Sequence, residues 1–551
     1  MERKSFYMEK KKLKLFSALA ILALALLVVG ATYAYFQNQY GSASNVDVKV
    51  TTYTTDALTF ETGDAINISA DQDTFAQGKG NQTGSTFAKA TLQANNKTNT
   101  ATANYYMYLN IETNTFTYTN TGTPELILQV VDKTSGNPVT SITSLDYVTV
   151  TDGKNTSISG FDITNKDGLI ALFSNKEISA SPKTVEEYTI TITLVNHNFD
   201  QNVNTGKNLN GTLMIQKGKV PSNIADVAKS GDFLATAVET LGAKGITSLT
   251  GLYHHDATLA NGAGDNSYRF AGADPNNYVC FGSDDATCPT ENLYRIIGVI
   301  DGKVKLIHAY GATTTMLGTN EGYAKTYQAA WSGNTSYYKG NGDLTKIGTY
   351  KWNKTGDNTW STSTTNTINL NTNFLTYLDS KNAKWKTMID DTTWYVGGMT
   401  EANGFKSDAK TAYSYEVGAN KDASTTVTSK IGLMYVSDYY YAASKDYWTL
   451  PGWSPSGSGN DYSKAYNNNW MSTGLYEWTL SRYSDASDTA FAVHFFGLLG
   501  GTDVDYSLGI VARPSFSLSS SIKFTSGEGT AVNPIRIQLW WGDDACLGRK
   551  G

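Results

Sequence analysis

The residues best equipped for chemistry are few and scattered. There are three cysteines (Cys280, Cys288, Cys546) and five histidines (His197, His254, His255, His308, His494). Cys280 and Cys288 enclose seven residues in the stretch NYVCFGSDDATCPT. Outside a reducing cytoplasm, two thiols this near each other become a disulfide. A ring of that size contributes roughly 2–3 kcal/mol by loop entropy. A rival reading joins them to His254 and His255 as a four-ligand zinc site, although the spacing matches no usual zinc pattern. Cys546 is left over, either free or intermolecular. The acidic pairs Asp71/Asp73 and Asp503/Asp505 offer oxygen ligands to calcium, and such pairs also occur in loops without any ion. The metal content is therefore left open.

Catalytic signatures are missing from the chain. It has no HExxH, no GxSxG and no phosphate loop ending in GK[ST]. Gly78-Lys79-Gly80 with Gly84 misses the dinucleotide spacing by one residue and follows no buried strand. A glycosidase built from two distant carboxylates would leave no local pattern. The expectation is a non-catalytic protein without a cofactor. A net charge of -6 without clustered Lys and Arg argues against a nucleic-acid partner.

Aromatic residues are the richer signal. Tyr439, Tyr440, Tyr441, Trp448, Trp453, Tyr462, Tyr466, Trp470, Tyr476 and Trp478 crowd together among Gly, Ser, Asn and Asp. Rigid rings with small polar neighbours give loop-built surfaces contact area at low entropic cost, and rings also stack on sugars. An envelope glycan or a surface protein is thus the expected ligand. The residues expected to hold it are Trp453, Tyr440, Tyr462, Tyr466 and Arg513. The same rings read equally as the core of a domain with few long aliphatics, with Trp470 and Trp478 inside. Trp453, between Pro451-Gly452 and Ser454-Pro455, is the best candidate for exposure. Arg513 and Arg482 also read as structural guanidinium forks that satisfy loop carbonyls or a carboxylate.

The elements that must carry these groups begin with residues 10–36, KKKLKLFSALAILALALLVVGATYAYF. A basic cluster, an apolar run and then small residues is what the export machinery reads. It is either a cleaved signal peptide or a retained membrane anchor, since about 20 apolar residues suffice to span a bilayer. Everything after it is expected outside the cell. All 11 tryptophans lie after residue 330, which divides the remainder into modules of different character.

Residues 37–218 alternate. Val46, Val48 and Val50 interleave with Asp47 and Lys49, and Tyr188, Ile190, Ile192 and Leu194 interleave with threonines. Period two with one apolar face predicts half-buried antiparallel strands. Further strands are expected at 104–111, 125–132, 145–151 and 211–217, with Asp152-Gly153 as a two-residue hairpin turn. Several such strands predict a β-sandwich. Residues 219–250 carry helix boundary signals and predict two small amphipathic helices, acting as a linker or packing on one module. Residues 251–538 predict an α+β domain. It has a hairpin through 293–308 turning at Asp301-Gly302, a helix within 371–389, and a buried strand running into a turn at 431–443. Residues 539–551 form a polar tail.

The leader's end, Gly30-Ala31-Thr32-Tyr33-Ala34-Tyr35-Phe36, followed by an alternating strand and a cysteine-free β module, resembles the TasA and camelysin-like surface proteins of Gram-positive bacteria. That resemblance implies a precursor cut by a signal peptidase, a cell-surface or biofilm-matrix product and, as in some members, self-association by donated N-terminal strands. The segment 46–52, from Val46 to Thr52, would then be the donor, or else the first strand of its own sandwich. The order of 293–299, 478–482 and Gly509-Ile510-Val511-Ala512-Arg513-Pro514 resembles bacterial surface domains related to formylglycine-generating-enzyme and C-type-lectin-like folds, with Ala512 inserted before the Arg-Pro pair. It implies a scaffold whose irregular loops present a binding surface, without implying catalysis. The combined expectation is an exported surface protein that presents a lectin-like adhesion domain on a β-sandwich stalk. A subunit of extracellular fibres and a secreted hydrolase of envelope polymers are the alternatives.

Overall fold

Alternation of apolar and polar residues becomes strand wherever one face can be covered, and the protein is mainly β, built from several antiparallel sheets. The computed structural model describes residues 55–76, 79–95, 99–197, 199–453 and 461–539. The leader, the segment 46–52 and Cys546 lie outside the described residues. Within them, no helix is long and apolar enough to cross a membrane. The chain divides into two units, 1–219 and 220–551.

Among its described residues the first unit holds ten strands: β1 (Ala57–Thr62), β2 (Ile66–Ser69), β3 (Gln82–Gln93), β4 (Ala101–Asn114), β5 (Leu126–Asp132), β6 (Tyr147–Thr151), β7 (Ser157–Asp162), β8 (Gly168–Ala180), β9 (Lys183–Leu194) and β10 (Asn208–Gln216). They form one antiparallel sheet in the order β1-β3-β9-β5-β7-β6 and a second in the order β2-β10-β4-β8. One hydrophobic core takes Ala88, Ala90 and Leu92 of β3 and Ile190, Ile192 and Leu194 of β9. From the other sheet it takes Met107, Leu109 and Ile111 of β4 with Leu213 and Ile215 of β10. Period two therefore reports one buried face per strand. The turn between β6 and β7 differs from the expected two-residue form. It runs through residues 152–156, the left-handed residue is Asn155 (φ 61°) rather than Gly153, and Oδ1 of Asp152 accepts the N–H groups of Lys154 and Thr156. A carboxylate that caps its own loop lets the chain take three extra residues.

In the second unit, strands Leu252–His255, Ser267–Phe270, Leu293–Ile300, Lys303–His308 and Ser515–Ser517 are neighbours in that order. The central hairpin turns at Asp301 (φ 51°) and Gly302 (φ 71°), the positive pair that a tight hairpin requires. A separate three-stranded sheet joins Glu477–Arg482, Thr489–Val493 and Leu499–Asp503. The segment expected as a linker belongs to this unit. Helix Leu234–Lys244 buries Leu234, Ala237, Val238 and Leu241 in its core, so its apolar stripe is consumed there. The helix expected within 371–389 begins earlier and is broken: Thr365–Phe374 continues into Leu375–Lys381, and Ala383–Thr387 restarts where Asn382 caps the N–H of Lys384.

The strand expected at 431–443 is a correction. Residues 436–441 form a helix, Val436–Tyr441, wholly buried. An apolar run of this length does not distinguish strand from buried helix. The outcome is decided by Asp438, which accepts the N–H of Tyr435, and by Glu416, which accepts the N–H groups of Val436 and Ser437 at the helix start.

The core around this helix is rich in aromatic residues, and backbone carbonyls satisfy many of its ring N–H and hydroxyl groups, although Trp360 Nε1 and Tyr294 OH are buried without a partner. The indole N–H groups of Trp478, Trp470, Trp352 and Trp448 donate to the carbonyls of Tyr350, Phe270, Thr479 and Ala443. Each ring thereby contributes burial without an unpaired donor.

Candidate ligand-binding surface

The sheet Glu477–Arg482, Thr489–Val493, Leu499–Asp503 packs Phe491, Ala492 and Val493 into the core. The turn that follows is His494-Phe495-Phe496-Gly497-Leu498. It closes on itself, with the N–H of His494 donating to Leu498 O at 2.8 Å and the N–H of Gly497 to His494 O at 2.8 Å. Gly497 has φ 86°, a conformation that a side chain would strain. With the backbone used up inside the turn, the rings of His494, Phe495 and Phe496 are left half-buried at its outside.

Other segments bring rings to the same place. Trp331 ends the helix Tyr327–Ala330, and its indole N–H donates to Gly509 O at 3.2 Å. Tyr337 ends the 3-10 turn Ser332–Tyr337 and is 40% exposed. Its ring centroid lies 4.9 Å from that of Phe495. Phe495 also neighbours Phe496 at 5.0 Å and Trp331 at 6.4 Å. Trp331 stacks on Tyr506 at 6.1 Å, and its edge meets buried Tyr476 at 5.1 Å. His494 lies between Tyr476 at 4.3 Å and Phe496 at 5.3 Å, nearly parallel to both. Burial pushes the His494 pKa down, which favours the neutral imidazole. Tyr506, Trp331, Phe495, Phe496 and Tyr337 thus form one continuous set of rings, Tyr337 exposed and the others half-buried, in contact with buried Tyr476 and half-buried His494. Flat rings fixed at the surface are suited to stacking against the apolar faces of sugars or to docking a partner chain.

Tyr466 and Lys339 border this set. The Tyr466 hydroxyl donates to Tyr337 O, and the Lys339 ammonium donates to Tyr466 O while lying 3.4 Å from the centroid of the Tyr466 ring.

The residues expected from sequence to bind ligand fare differently. Tyr440 and Tyr462 are fully buried: the Tyr440 hydroxyl donates to Gly404 O and Ser407 O at 3.1 Å, and that of Tyr462 to Tyr440 O at 2.8 Å. Those two assignments are corrected, because chain segments distant in sequence cover both rings. Trp470 and Trp478 are inside, as expected. Trp453 is 39% exposed, but its ring neighbour among the described residues is Phe405 alone, at 5.5 Å. It stands apart from the aromatic set, and residues 454–460 beside it lie outside the described residues. Tyr466 is half-buried at the border of the set.

Arg513 is interior, 2% exposed, and structural. Its Nε meets Glu477 Oε2 at 2.5 Å as a charge pair, and Nη2 donates to Met471 O at 2.8 Å. Burial pushes the Glu477 pKa up, opposed by the Arg513 charge. A second buried network ties Arg269 to Asp265 at 2.8 Å and Lys305 to Asp438 at 2.5 Å. Both networks brace the core. Arg482 donates to Val396 O at 3.1 Å, the loop-carbonyl role open to it from sequence.

Cys280 and Cys288 form a disulfide, so neither is a zinc ligand, and His255 is buried with Nδ1 accepting the N–H of Ala263. Among the described residues no group of three or more His, Cys, Asp or Glu is placed to hold a metal. Asp71 Oδ1 is occupied by the N–H groups of Asp73 and Thr74. Beside the disulfide lies a depression of about 360 Å³ lined by Ser283, Asp284, Asp285, Trp385 and Arg536, where Lys384 already pairs with Asp284.

Sequence reasoning missed Trp331, Tyr337, Phe495, Phe496 and Tyr506. One local signal was available: two adjacent Phe followed by Gly between strand-like runs place consecutive rings in a turn, where no periodicity can bury both.

No family model and no curated protein matches this chain. Among solved structures, the crystal structure of the infectious bursal disease virus VP2 subviral particle shows 12% identity and a TM-score of 0.10. The alignment covers 33% of this chain and 47% of that one, and at this level of similarity it carries no argument about fold or function.

Proposed function

We propose that this is an exported, non-catalytic bacterial surface protein whose second unit binds an envelope glycan through the aromatic set around Phe495. On this reading the first unit is a β-sandwich of the TasA and camelysin-like kind, and the second a lectin-like α+β domain. Residues 1–36 act as signal peptide or anchor, and export is consistent with the Cys280–Cys288 disulfide. The single observation that carries the reading is the continuity of Tyr337, Phe495, Phe496, Trp331 and Tyr506 at the surface of a unit whose remaining rings are largely interior. The test is a glycan array probed with the full chain in mild detergent, beside Phe495→Ala and Tyr337→Ala variants. Binding lost in both variants supports the proposal. Absence of binding, or binding indifferent to both changes, overturns it.

A fibre-forming reading has one observation in its favour. β2 pairs with β10 only along 208–211, and among the described residues no strand pairs with 212–216 on that side. An open stretch of ladder is where a donated strand such as 46–52 of a second copy would add. Fibres seen by electron microscopy, and lost on deleting 46–52, would establish that role. Their absence at high protein concentration would remove it.

A further inference from the structure

The aromatic set is bordered by a cation, and that cation has a fixed position. Residues 337–339 leave the 3-10 turn with Tyr338 in extended backbone (φ -65°, ψ 124°), so alternate side chains point to opposite sides. Tyr338 turns inward, where its hydroxyl accepts the N–H of Gly342 at 2.8 Å. Tyr337 and Lys339 are both exposed. The backbone of Lys339 is pinned, its N–H donating to Thr473 O at 2.9 Å.

The Lys339 ammonium is held in place by Tyr466. It donates to the Tyr466 carbonyl and lies 3.4 Å from the ring centroid, while the Tyr466 hydroxyl donates to Tyr337 O. Among the described residues no carboxylate comes within 4.0 Å of this ammonium. Other lysines of the unit pair with carboxylates at the surface, as Lys354 does with Glu321 and Lys406 with Glu401. Lys339 has a ring, a carbonyl and, among the described residues, no counter-ion, an arrangement Lys421 shares at a longer distance from its ring. Partial desolvation alone lowers its pKa to about 8, with no charged group contributing.

We propose that Lys339 reads an anionic substituent on the glycan that stacks on the Tyr337–Phe495 rings, so that the ligand is an acidic sugar carrying a carboxylate or a phosphate. This rests on the glycan-binding reading above. The ammonium supplies the complementary charge, Tyr466 fixes where that charge stands, and Tyr337, two residues away, supplies the platform for the sugar ring. A charge already partly desolvated and left without an anion gains more from a ligand anion than a solvated lysine would.

The experiment uses the full chain in mild detergent and isothermal titration with three probes: hexagalacturonate for the carboxylate, pentamannose phosphate for the phosphate, and chitohexaose as a neutral comparison. The expected result is at least tenfold tighter binding of one acidic probe than of chitohexaose. Lys339→Met abolishes that preference and leaves chitohexaose binding unchanged, while Lys339→Arg retains it. Raising the pH from 7 to 9 weakens the acidic probe several-fold and leaves the neutral one as it was. Which acidic probe binds identifies the source of the charge. If glycans bind through Phe495 but acidic and neutral probes bind alike, or Lys339→Met keeps the preference, this inference is overturned while the glycan reading stands. If no probe binds, both are overturned.

Discussion

Two aromatic runs in the second unit meet opposite fates. Tyr439, Tyr440 and Tyr441 sit on a buried helix, and each hydroxyl reaches a backbone carbonyl on another segment: Gly497, Gly404 and Asn261. Phe495 and Phe496 sit in a hairpin turn closed by His494 and Leu498, and both rings are left half-buried, Phe495 against Trp331 and Tyr337. The difference lies in the surroundings rather than in the rings. A helix surrounded by chain buries side chains in every direction, whereas a turn has chain on one side only. The two regions are also joined, because Tyr439 donates to Gly497 O at 2.9 Å, at the apex of the surface turn. The buried run thus helps to hold the half-buried one in position.

The largest effect should come from the interior charges beneath both regions. Arg513→Ala leaves Glu477 buried without its cation and should cost about 3–5 kcal/mol in urea unfolding. A loss below 1 kcal/mol would mean the pair is not desolvated as described. Glu416 gives the next effect and a pH signature. Burial raises its pKa to about 7, above the 4.5 expected in the unfolded chain. Its contribution to stability is therefore fully present below pH 4.5 and is lost as the pH rises through 7, on the order of 3 kcal/mol. Glu416→Gln should abolish that fall between pH 4.5 and 7.5; an unchanged pH profile would refute it.

Smaller changes test the link between the two regions. Tyr439→Phe removes one buried hydrogen bond, should cost about 1 kcal/mol, and should weaken glycan binding by releasing Gly497. Unaltered affinity would show that the turn holds its shape unaided. Phe495→Ala and Trp453→Ala should each change stability by about 1 kcal/mol or less. Only the first should reduce glycan binding on an array, since Trp453 stands outside the aromatic set. The opposite order would move the site to Trp453.

Much of this architecture is legible locally. The β9 alternation of Tyr188, Ile190, Ile192 and Leu194 describes its buried face, and Asp301-Gly302 describes the turn of the hairpin through 293–308, because strand pleat and positive φ depend on immediate neighbours. The disulfide follows from two cysteines eight positions apart. The helix Val436–Tyr441 was not legible. Its start is capped by Glu416, twenty residues earlier, and the run of rings has no period that separates helix from strand. Tyr440 and Tyr462, expected at a binding surface, are interior for a related reason: density of aromatics along the chain says nothing of what covers them.

The amino-acid sequence alone determined the β-rich character of the first unit, the tight hairpin at 301–302 and the pairing of Cys280 with Cys288, since each depends on residues adjacent or nearly adjacent in the chain. Only the tertiary structure decided which rings are buried and which are displayed. Tyr462 is enclosed by carbonyls more than twenty residues away, and Tyr337 meets Phe495 across more than one hundred and fifty. Burial is a property of area removed from water, and that area is set by whichever distant segment comes to lie on top.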